Sequence, residues 1–398
     1  MIYLALLIIP VLYFCFLLKV KIYNPLFITF VLWGGVLFIY ATVNHNLYEL
    51  TDKFYLLLFL YLICFLGGFI APYLLEIKKL RGFRNDNTYI EGFNYFNFIY
   101  KIALIITVYL SLRYILLLLS GTNIYVLTAD NKKPIDVQIM NYFNVIPLCL
   151  FFYILLYKNI RKYKFFLFLF IISVLLTFGK MLVMQVFIGA AIILYSKRII
   201  KLRHIIFASV TLILGLIFLQ SLRYEDSDSS NKLQYIIKIL VIYILSPLKA
   251  VDKVFNNEIY LGHGHLFGFI YRVLEKLFHI RLLPKENIYT WVFVPVPTNV
   301  YTIMKNSYVD YGSKGMMFYS FFIGFFWSVI YQRQIKSGAL KVFFFCNIYI
   351  LVVQFFDDIL TGQFSFVLQT FLISYFIYAY FKRKRKLPNS QYLQNNSL

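Results

Sequence analysis

Apolar residues come in eleven runs, at about 2–18, 26–42, 54–75, 98–119, 143–157, 165–178, 181–195, 205–220, 315–331, 339–356 and 363–381. Each predicts a membrane-spanning helix. The shortest runs, of 14 to 16 residues, fall below the ~20 that a helix needs to cross a bilayer, so their helices are expected to continue into flanking Tyr, Asn and Lys. Residues 289–315, YTWVFVPVPTNVYTIMKNSYVDYGSKG, interrupt this pattern as the longest run in which polar, aromatic, Pro and Gly residues sit together. Pro295 and Pro297 forbid a regular helix there, and Thr298-Asn299 offers a cap for a helix over 300–308. Upstream, LFGFIYRVLEKLFHI at 266–280 repeats at three and four through Phe269, Val273, Lys276 and Leu277, which predicts a helix lying on the outer membrane surface.

Composition agrees with a chain solvated mostly by lipid: 61% of the 398 residues are hydrophobic and 14% are charged. The net charge of +22 does not point to nucleic acid, because the 39 Lys and Arg fall in short clusters between apolar runs, where they set topology and meet anionic lipid. With the C-terminus inside, the inner loops hold 22 basic residues and the short outer loops 4. This asymmetry predicts an N-out, C-in arrangement. The long outer segment 221–314 then carries 11 basic residues, which the rule permits for long loops. Its apolar stretch 233–247 would invert everything downstream if it crossed the membrane. An interfacial or re-entrant helix is expected instead, with Lys232, Lys238 and Lys249 at the headgroups. The expected fold is an all-α polytopic membrane protein of about eleven transmembrane helices with a large, partly helical extracytoplasmic loop. It forms one integral domain: eight spans in 1–220, the loop 221–314, three spans and a basic end in 315–386, and a disordered tail 387–398. Cys15, Cys64, Cys149 and Cys346 all lie within apolar runs without short spacing, so they read as small core residues.

Several residues bear on chemistry. Arg113 sits about two turns from the outer end of its span, Lys180 in a tight outer turn after Gly179, and Arg223 directly after the eighth span. All three share one depth, where they serve either as interface anchors or together as a site for a headgroup phosphate. Arg272 and Lys276, one turn apart on the surface helix, meet either lipid headgroups or substrate. Asp226-Ser-Asp228 has the spacing of a metal-binding pair but reads as a solvated loop, and His263-Gly-His265 lacks a third ligand. Tyr301, Tyr308 and Tyr311 offer flat faces and hydroxyls of the kind that hold sugars. Asp310 precedes Gly312 and Gly315, where backbone can turn sharply or approach closely.

The run PTNVYTIMKNSYVDYGSKG, with Thr298, Asn299, Tyr301, Thr302, Tyr308, Asp310, Gly312 and Gly315, resembles the signature TN-x-YT followed by Y-x-D-[FY]-G-x-x-G of the bacterial oligosaccharide repeat unit polymerases. These are the Wzy-type polymerases of O-antigen, capsule and exopolysaccharide. Many spans, a basic turn between middle spans and a large outer loop ending in the signature also fit. One departure is Lys180, where relatives often have Arg, which removes a bidentate phosphate contact. The resemblance implies a fold like that of the GT-C-like membrane glycosyltransferases, in the bacterial cytoplasmic membrane with the site facing outward. It implies transfer of a growing glycan from polyprenyl diphosphate to a sugar hydroxyl of the next lipid-linked repeat, without metal or other cofactor. The lipid bilayer, a flippase and a chain-length regulator are the implied partners. Arg113, Lys180, Arg223 and Arg272 would neutralise the leaving diphosphate, and Asp310 or His265 would accept the proton, with Asp357 and Asp358 in reserve. Asn299, Tyr301 and Tyr308 would position sugars. Two other functions share parts of this pattern: an O-antigen ligase-like transferase, which attaches glycan without lengthening it, and a transporter of lipid-linked glycan, which would show more charges deep in its spans.

Overall fold

A computed structural model of the chain describes residues 2–43, 47–76, 93–122, 134–177, 179–201, 203–205, 232–259, 264–279, 291–295 and 297–382. Ten of the eleven apolar runs fall on described helices, and the run 205–220 lies almost wholly outside them. In chain order the helices are α1 (Ile2–Leu17), α2 (Pro25–Thr42), α3 (Asp52–Glu76), α4 (Phe93–Leu119), α5 (Ile135–Phe143), α6 (Val145–Tyr157), α7 (Lys164–Leu176) and α8 (Lys180–Ser196). After them come α9 (Lys232–Phe255), α10 (Gly268–Phe278), α11 (Met304–Arg333), α12 (Gly338–Asn347), α13 (Tyr349–Val353), α14 (Ile359–Gly362) and α15 (Phe364–Lys382). Among the described residues, five stretches are long and apolar enough to cross a membrane, α2, most of α3, most of α4, the α5–α6 pair and α11, and five shorter apolar stretches accompany them. The chain is thus an all-α, multi-pass membrane protein but for one small ribbon, β1 (Val292–Phe293) antiparallel to β2 (Pro297–Thr298), with Val292 opposite Thr298 and Phe293 opposite Pro297. Proline is tolerated there because a two-stranded ribbon has only edges.

The chain divides into two compact units, residues 1–81, 194–332 and 347–367 in one and 82–193, 333–346 and 368–398 in the other. In the first, α3 and α11 pack backbone to backbone. Ser320, Gly324 and Ser328 repeat every four residues along α11, so they line one helix face. Ser320 Oγ donates to Tyr61 O at 2.5 Å and Ser328 Oγ to Phe69 O at 2.7 Å. A Cβ on Gly324 would stand 2.2 Å from Phe65 O, and one on Gly68 would stand 2.0 Å from Phe321 O. Small residues at this spacing let membrane helices approach until backbone contact and interhelical hydrogen bonds replace the hydrophobic effect, which is absent between helices in lipid. Gln354 extends the seam: it accepts from Tyr61 Oη at 3.3 Å and donates to Thr29 Oγ1 at 3.2 Å, so α2 and α3 are both tied to the turn after α13.

The second unit groups α4 with α5, α6 and α7. Phe96, Tyr100, Tyr163 and Phe166 form a cluster of stacked, tilted and edge-to-face rings at centroid distances of 5.3 to 6.1 Å, joining α4 to the start of α7. Gln185 Nε2 donates to Cys346 O at 2.8 Å and so holds α8 to α12.

The stretch 233–247 belongs to α9, an unbroken 24-residue helix that carries Pro247 within it. Lys249 is not at a headgroup position. It is buried, and its ammonium contacts Asp252 at 2.6 Å and the carbonyl of Glu49. Asp252 is fully buried and also accepts from Thr51 N, Thr51 Oγ1 and Asn256 Nδ2. Spacing explains the difference: residues three apart on a helix share a face, so Asp252 neutralises Lys249 while segment 47–51 covers both.

The seam yields a direct test. Gly324→Ala is expected to lower the melting temperature of the detergent-solubilised protein, at a cost of ~1–3 kcal/mol from overpacking. Gly35→Ala in α2, where an added Cβ meets nothing within 4 Å, is expected to leave it unchanged or raise it.

Candidate functional site

The polar stretch begins at the ribbon and feeds into α11. That helix starts at Met304, not at Val300, because Thr298 is held in β2 and its hydroxyl is used locally, accepting from Val300 N at 3.2 Å. The chain then runs without helix to Thr302, whose Oγ1 accepts from Met304 N at 3.4 Å, while Ile303 N donates to Gln354 O at 2.8 Å. Gly312, at φ 63° and ψ −159°, breaks α11 internally. Only glycine enters that region without strain. The break leaves residues 313–333 at the length of one span and sets Met304 to Tyr311 apart as a short helix ahead of it.

This short helix carries the buried charge. Lys305 is 1% exposed; Asn306 and Ser307 beside it are also buried. The Lys305 ammonium lies 5.4 Å from the centre of the Tyr301 ring, within cation–π range, and the carboxylates of Asp357, Asp358 and Asp310 act on it electrostatically. An ammonium buried without opposite charge would cost several kcal/mol, so these acids are a condition of its being there. Asp358 is held on all sides: Tyr319 Oη donates to Oδ1 at 2.8 Å, Asn306 Nδ2 to Oδ2 at 3.2 Å, and Thr361 through both Oγ1 and N–H. Asp357 differs. Among the described residues its carboxylate has a single hydrogen bond, from Asp358 N–H at 2.8 Å, and it is only half-buried. Burial pushes the Asp357 carboxyl up to about 6, with the Asp358 charge adding to the rise and Lys305 opposing it. Burial also raises Asp358, against the pull of its hydrogen bonds from Thr361, Tyr319 and Asn306. The pair therefore combines a locked carboxylate with one that retains acceptor capacity and titrates close to neutral pH.

Asp310, expected as a proton acceptor, is held by backbone amides. Its Oδ1 accepts from Gly264 N and its Oδ2 from Leu266 N, both at 2.7 Å, so the carboxylate clamps the segment that leads into α10. His265 sits half-buried inside this clamp, with its carbonyl accepting from Gly268 N at the start of α10. α10 covers 268–278, close to the predicted surface helix, and ends at His279 in a left-handed conformation. Arg272 on α10 is exposed, with Nε turned back to Gly268 O at 3.1 Å. Lys276, Ile270, Val273 and Leu277 are exposed on the same helix, as an interfacial helix requires, while Phe269 rests on Phe364 at 5.5 Å.

The tyrosines expected to hold sugars are mostly inward. Tyr301 is buried against Ala250, Val254, Val292 and Val294, and its ring faces Lys305. Tyr308 packs on Phe255 at 4.5 Å and donates its hydroxyl to Phe255 O at 3.2 Å. Asn299 is half-buried, and Tyr311 is the exposed ring, beside Phe267 at 6.3 Å. Arg113, expected at an anion site, instead forms an ion pair: Nε donates to Asp136 Oδ2 at 2.7 Å, and Tyr109 Oη donates to the same oxygen at 2.8 Å. Asp136 comes from the start of α5, in a connecting segment whose conformation the sequence pattern did not predict. Lys180 opens α8, and its side chain lies outside the described residues, as do Arg223, Asp226, Asp228, His263 and Arg281. Arg113 and Lys180 belong to one unit, and Arg272, Asp310 and Asp357 to the other.

Lys305 is the residue that sequence reasoning missed. Its signal was present as a lysine five positions before Asp310 in a stretch of mixed aromatic, apolar and polar residues, but its partners Asp357 and Asp358 are remote in the chain. Comparison with protein-family models, curated proteins and solved structures finds no match.

Asp310→Ala is expected to release the 264–266 segment, since two charge-assisted hydrogen bonds worth ~1.5–3 kcal/mol each are lost. Hydrogen exchange in nanodiscs would then show faster exchange at Gly264 and Leu266 with α3 unaffected. Unchanged protection at both amides would contradict the clamp.

Proposed function

We propose that the chain is a membrane glycosyltransferase that polymerises lipid-linked oligosaccharide repeats on the outer face of a bacterial cytoplasmic membrane. In this proposal eleven helices span the bilayer with the N-terminus outside and the C-terminus inside, in a GT-C-like arrangement. The observation that supports it most is that the signature stretch 298–315 folds around a buried Lys305 flanked by three aspartates, in a chain that is otherwise mostly apolar. An ionisable cluster at the membrane edge is a functional-site hypothesis by default, and unlike the closed Lys249–Asp252 pair this one leaves Asp357 with acceptor capacity.

The acceptor sugar hydroxyl gives its proton to Asp357 as its oxygen attacks the anomeric carbon of the donor glycan. The bond from that carbon to the diphosphate oxygen breaks, and polyprenyl diphosphate departs with the electron pair. Asp357 suits the first task because a base with a pKa near the working pH combines an ionised population with proton affinity. Asp358 is less suited, since its oxygens already take four hydrogen bonds. Asp310 acts as the clamp that fixes α10, and Arg272 on α10, with Arg223, meets the developing diphosphate charge. Arg113 is matched by Asp136 and serves as a structural ion pair in this scheme. A ligase-like transferase would use the same groups but would yield a single transfer instead of a lengthened chain.

Asp357→Asn and Arg272→Ala are each expected to abolish long-chain surface glycan while single lipid-linked repeats persist; normal ladders on a glycan gel from both variants would sink the assignment. Because the carboxylate is the working form, the rate should fall about tenfold per pH unit below about 6 and level off above about 7. The same shift has a stability consequence with a definite sign. The folded-state value of about 6 lies above the ordinary carboxylate value of 3.8, so ionising Asp357 destabilises the fold as pH rises through 6. Asp357→Asn should therefore be more stable than wild type at pH 8, by an amount on the order of 3 kcal/mol, and this advantage should vanish below pH 4.

A further inference from the structure

Lys305 has no part in the transfer chemistry set out above, yet it is among the most deeply buried charged side chains described. Its position is specified from several directions. The Tyr301 ring supports the ammonium, the ribbon and α9 pack behind that ring, and the turn after α13 brings the 357–358 pair to it. Ile303 N to Gln354 O, two residues before Lys305 and three before Asp357, couples the two segments through the backbone. We propose that Lys305 is a positioning residue that acts through Asp357: its buried ammonium, fixed on the Tyr301 face, keeps Asp357 as a carboxylate ready to take a proton.

The balance of charge argues for it. Two adjacent carboxylates out of water repel each other, and one would hold a proton unless a cation stood nearby. Donors from Tyr319, Asn306 and Thr361 favour the ionised form of Asp358 against its burial, whereas Asp357 has one donor, so the cost of the second charge falls on Asp357. Lys305 is the cation that offsets it. The titratable and charged groups around the pair are Asp358 in the same turn, Lys305, Asp310 and Tyr319 on α11, and Tyr61 on α3. Among these only Lys305 can carry a positive charge; burial lowers its own pKa to about 7, so it is the cation over the acid limb in which Asp357 titrates. Tyr61 and Tyr319 donate their hydroxyls to Gln354 and Asp358.

The inference rests on the proposed transfer reaction for what Asp357 does, but not for how Lys305 affects it, and the test separates the two. Lys305→Met keeps the length and removes the charge, Lys305→Arg keeps the charge, and Lys305→Gln serves if the Met variant does not fold. Infrared titration of the purified, substrate-free protein, with Asp357→Asn subtracted to isolate its carboxyl band, reads the ionisation of Asp357 without any activity. The band should titrate about one to two pH units higher in Lys305→Met than in wild type and return toward wild type in Lys305→Arg. In membranes supplied with lipid-linked repeats, the acid limb of glycan lengthening should move by the same amount while the alkaline plateau is lowered less. An Asp357 band that titrates at the same pH in all three proteins overturns the inference, as does an activity loss in Lys305→Met that is equal at every pH. A shifted band in a protein that never lengthens glycan retains the Lys305–Asp357 coupling and overturns the proposed function instead.

Discussion

A charge taken out of water must be met by an opposite charge or by enough hydrogen bonds, and this requirement organises the first unit. Lys305 and the acids around it are drawn from two well-separated parts of the chain, the start of α11 and the turn after α13. Leaving any one unmatched would cost several kcal/mol, a large fraction of the stability of a typical domain. The same rule operates at Lys249 and Asp252, which lock segment 47–51 onto α9, while the part-exposed pair Arg113 and Asp136 ties α4 to α5. What distinguishes the Lys305 cluster is that one member, Asp357, is left with acceptor capacity. In the Lys249–Asp252 pair each buried charge is matched by a fixed partner.

Holding the cluster in place falls to features that would otherwise look like packing detail. The close α3–α11 seam fixes the axis of α11, and Gln354 carries that seam across to Thr29 and to the backbone at Ile303. The Gly312 break then allows the first turns of α11 to leave the line of the span. Asp310, on the near side of the break, reaches out to Gly264 and Leu266, so the amphipathic α10 is tied to the same short helix that carries Lys305. Rigid helices thus support a group of side chains on a bent end, an arrangement that keeps their geometry precise.

Much of the fold was legible because apolar runs of near-bilayer length leave few alternatives: ten of the eleven runs coincide with described helices. The helix over 268–278 was also legible from its period, and the turn at Gly312 from its place after Asp310-Tyr311. Side-chain roles were not. Tyr301 and Tyr308 look the same in sequence whether they face a sugar or a core, and only the folding of α9 and the ribbon behind Tyr301 decides it. Asp310 has the chemistry of a base, but two backbone amides from a segment more than forty positions earlier occupy it. Lys249 was assigned to headgroups because lysines near apolar runs commonly snorkel, and the partner that draws it inward, Asp252, carried no signal beyond its spacing. Local pattern reports which element a residue joins; long-range contact decides what its charge is for.

The polar exception in an apolar chain therefore becomes a bent helix end with a buried ammonium, a locked carboxylate and an available one. Together with the resemblance in the signature stretch, that arrangement favours bond formation over passage of substrate. The most direct test is reconstitution of the purified protein in nanodiscs with one defined polyprenyl-diphosphate-linked repeat and nothing else. A ladder of lengthened glycan is predicted, with one polyprenyl diphosphate released for each repeat added. Intact repeats with no polyprenyl diphosphate released, in a protein verified as folded, would contradict it.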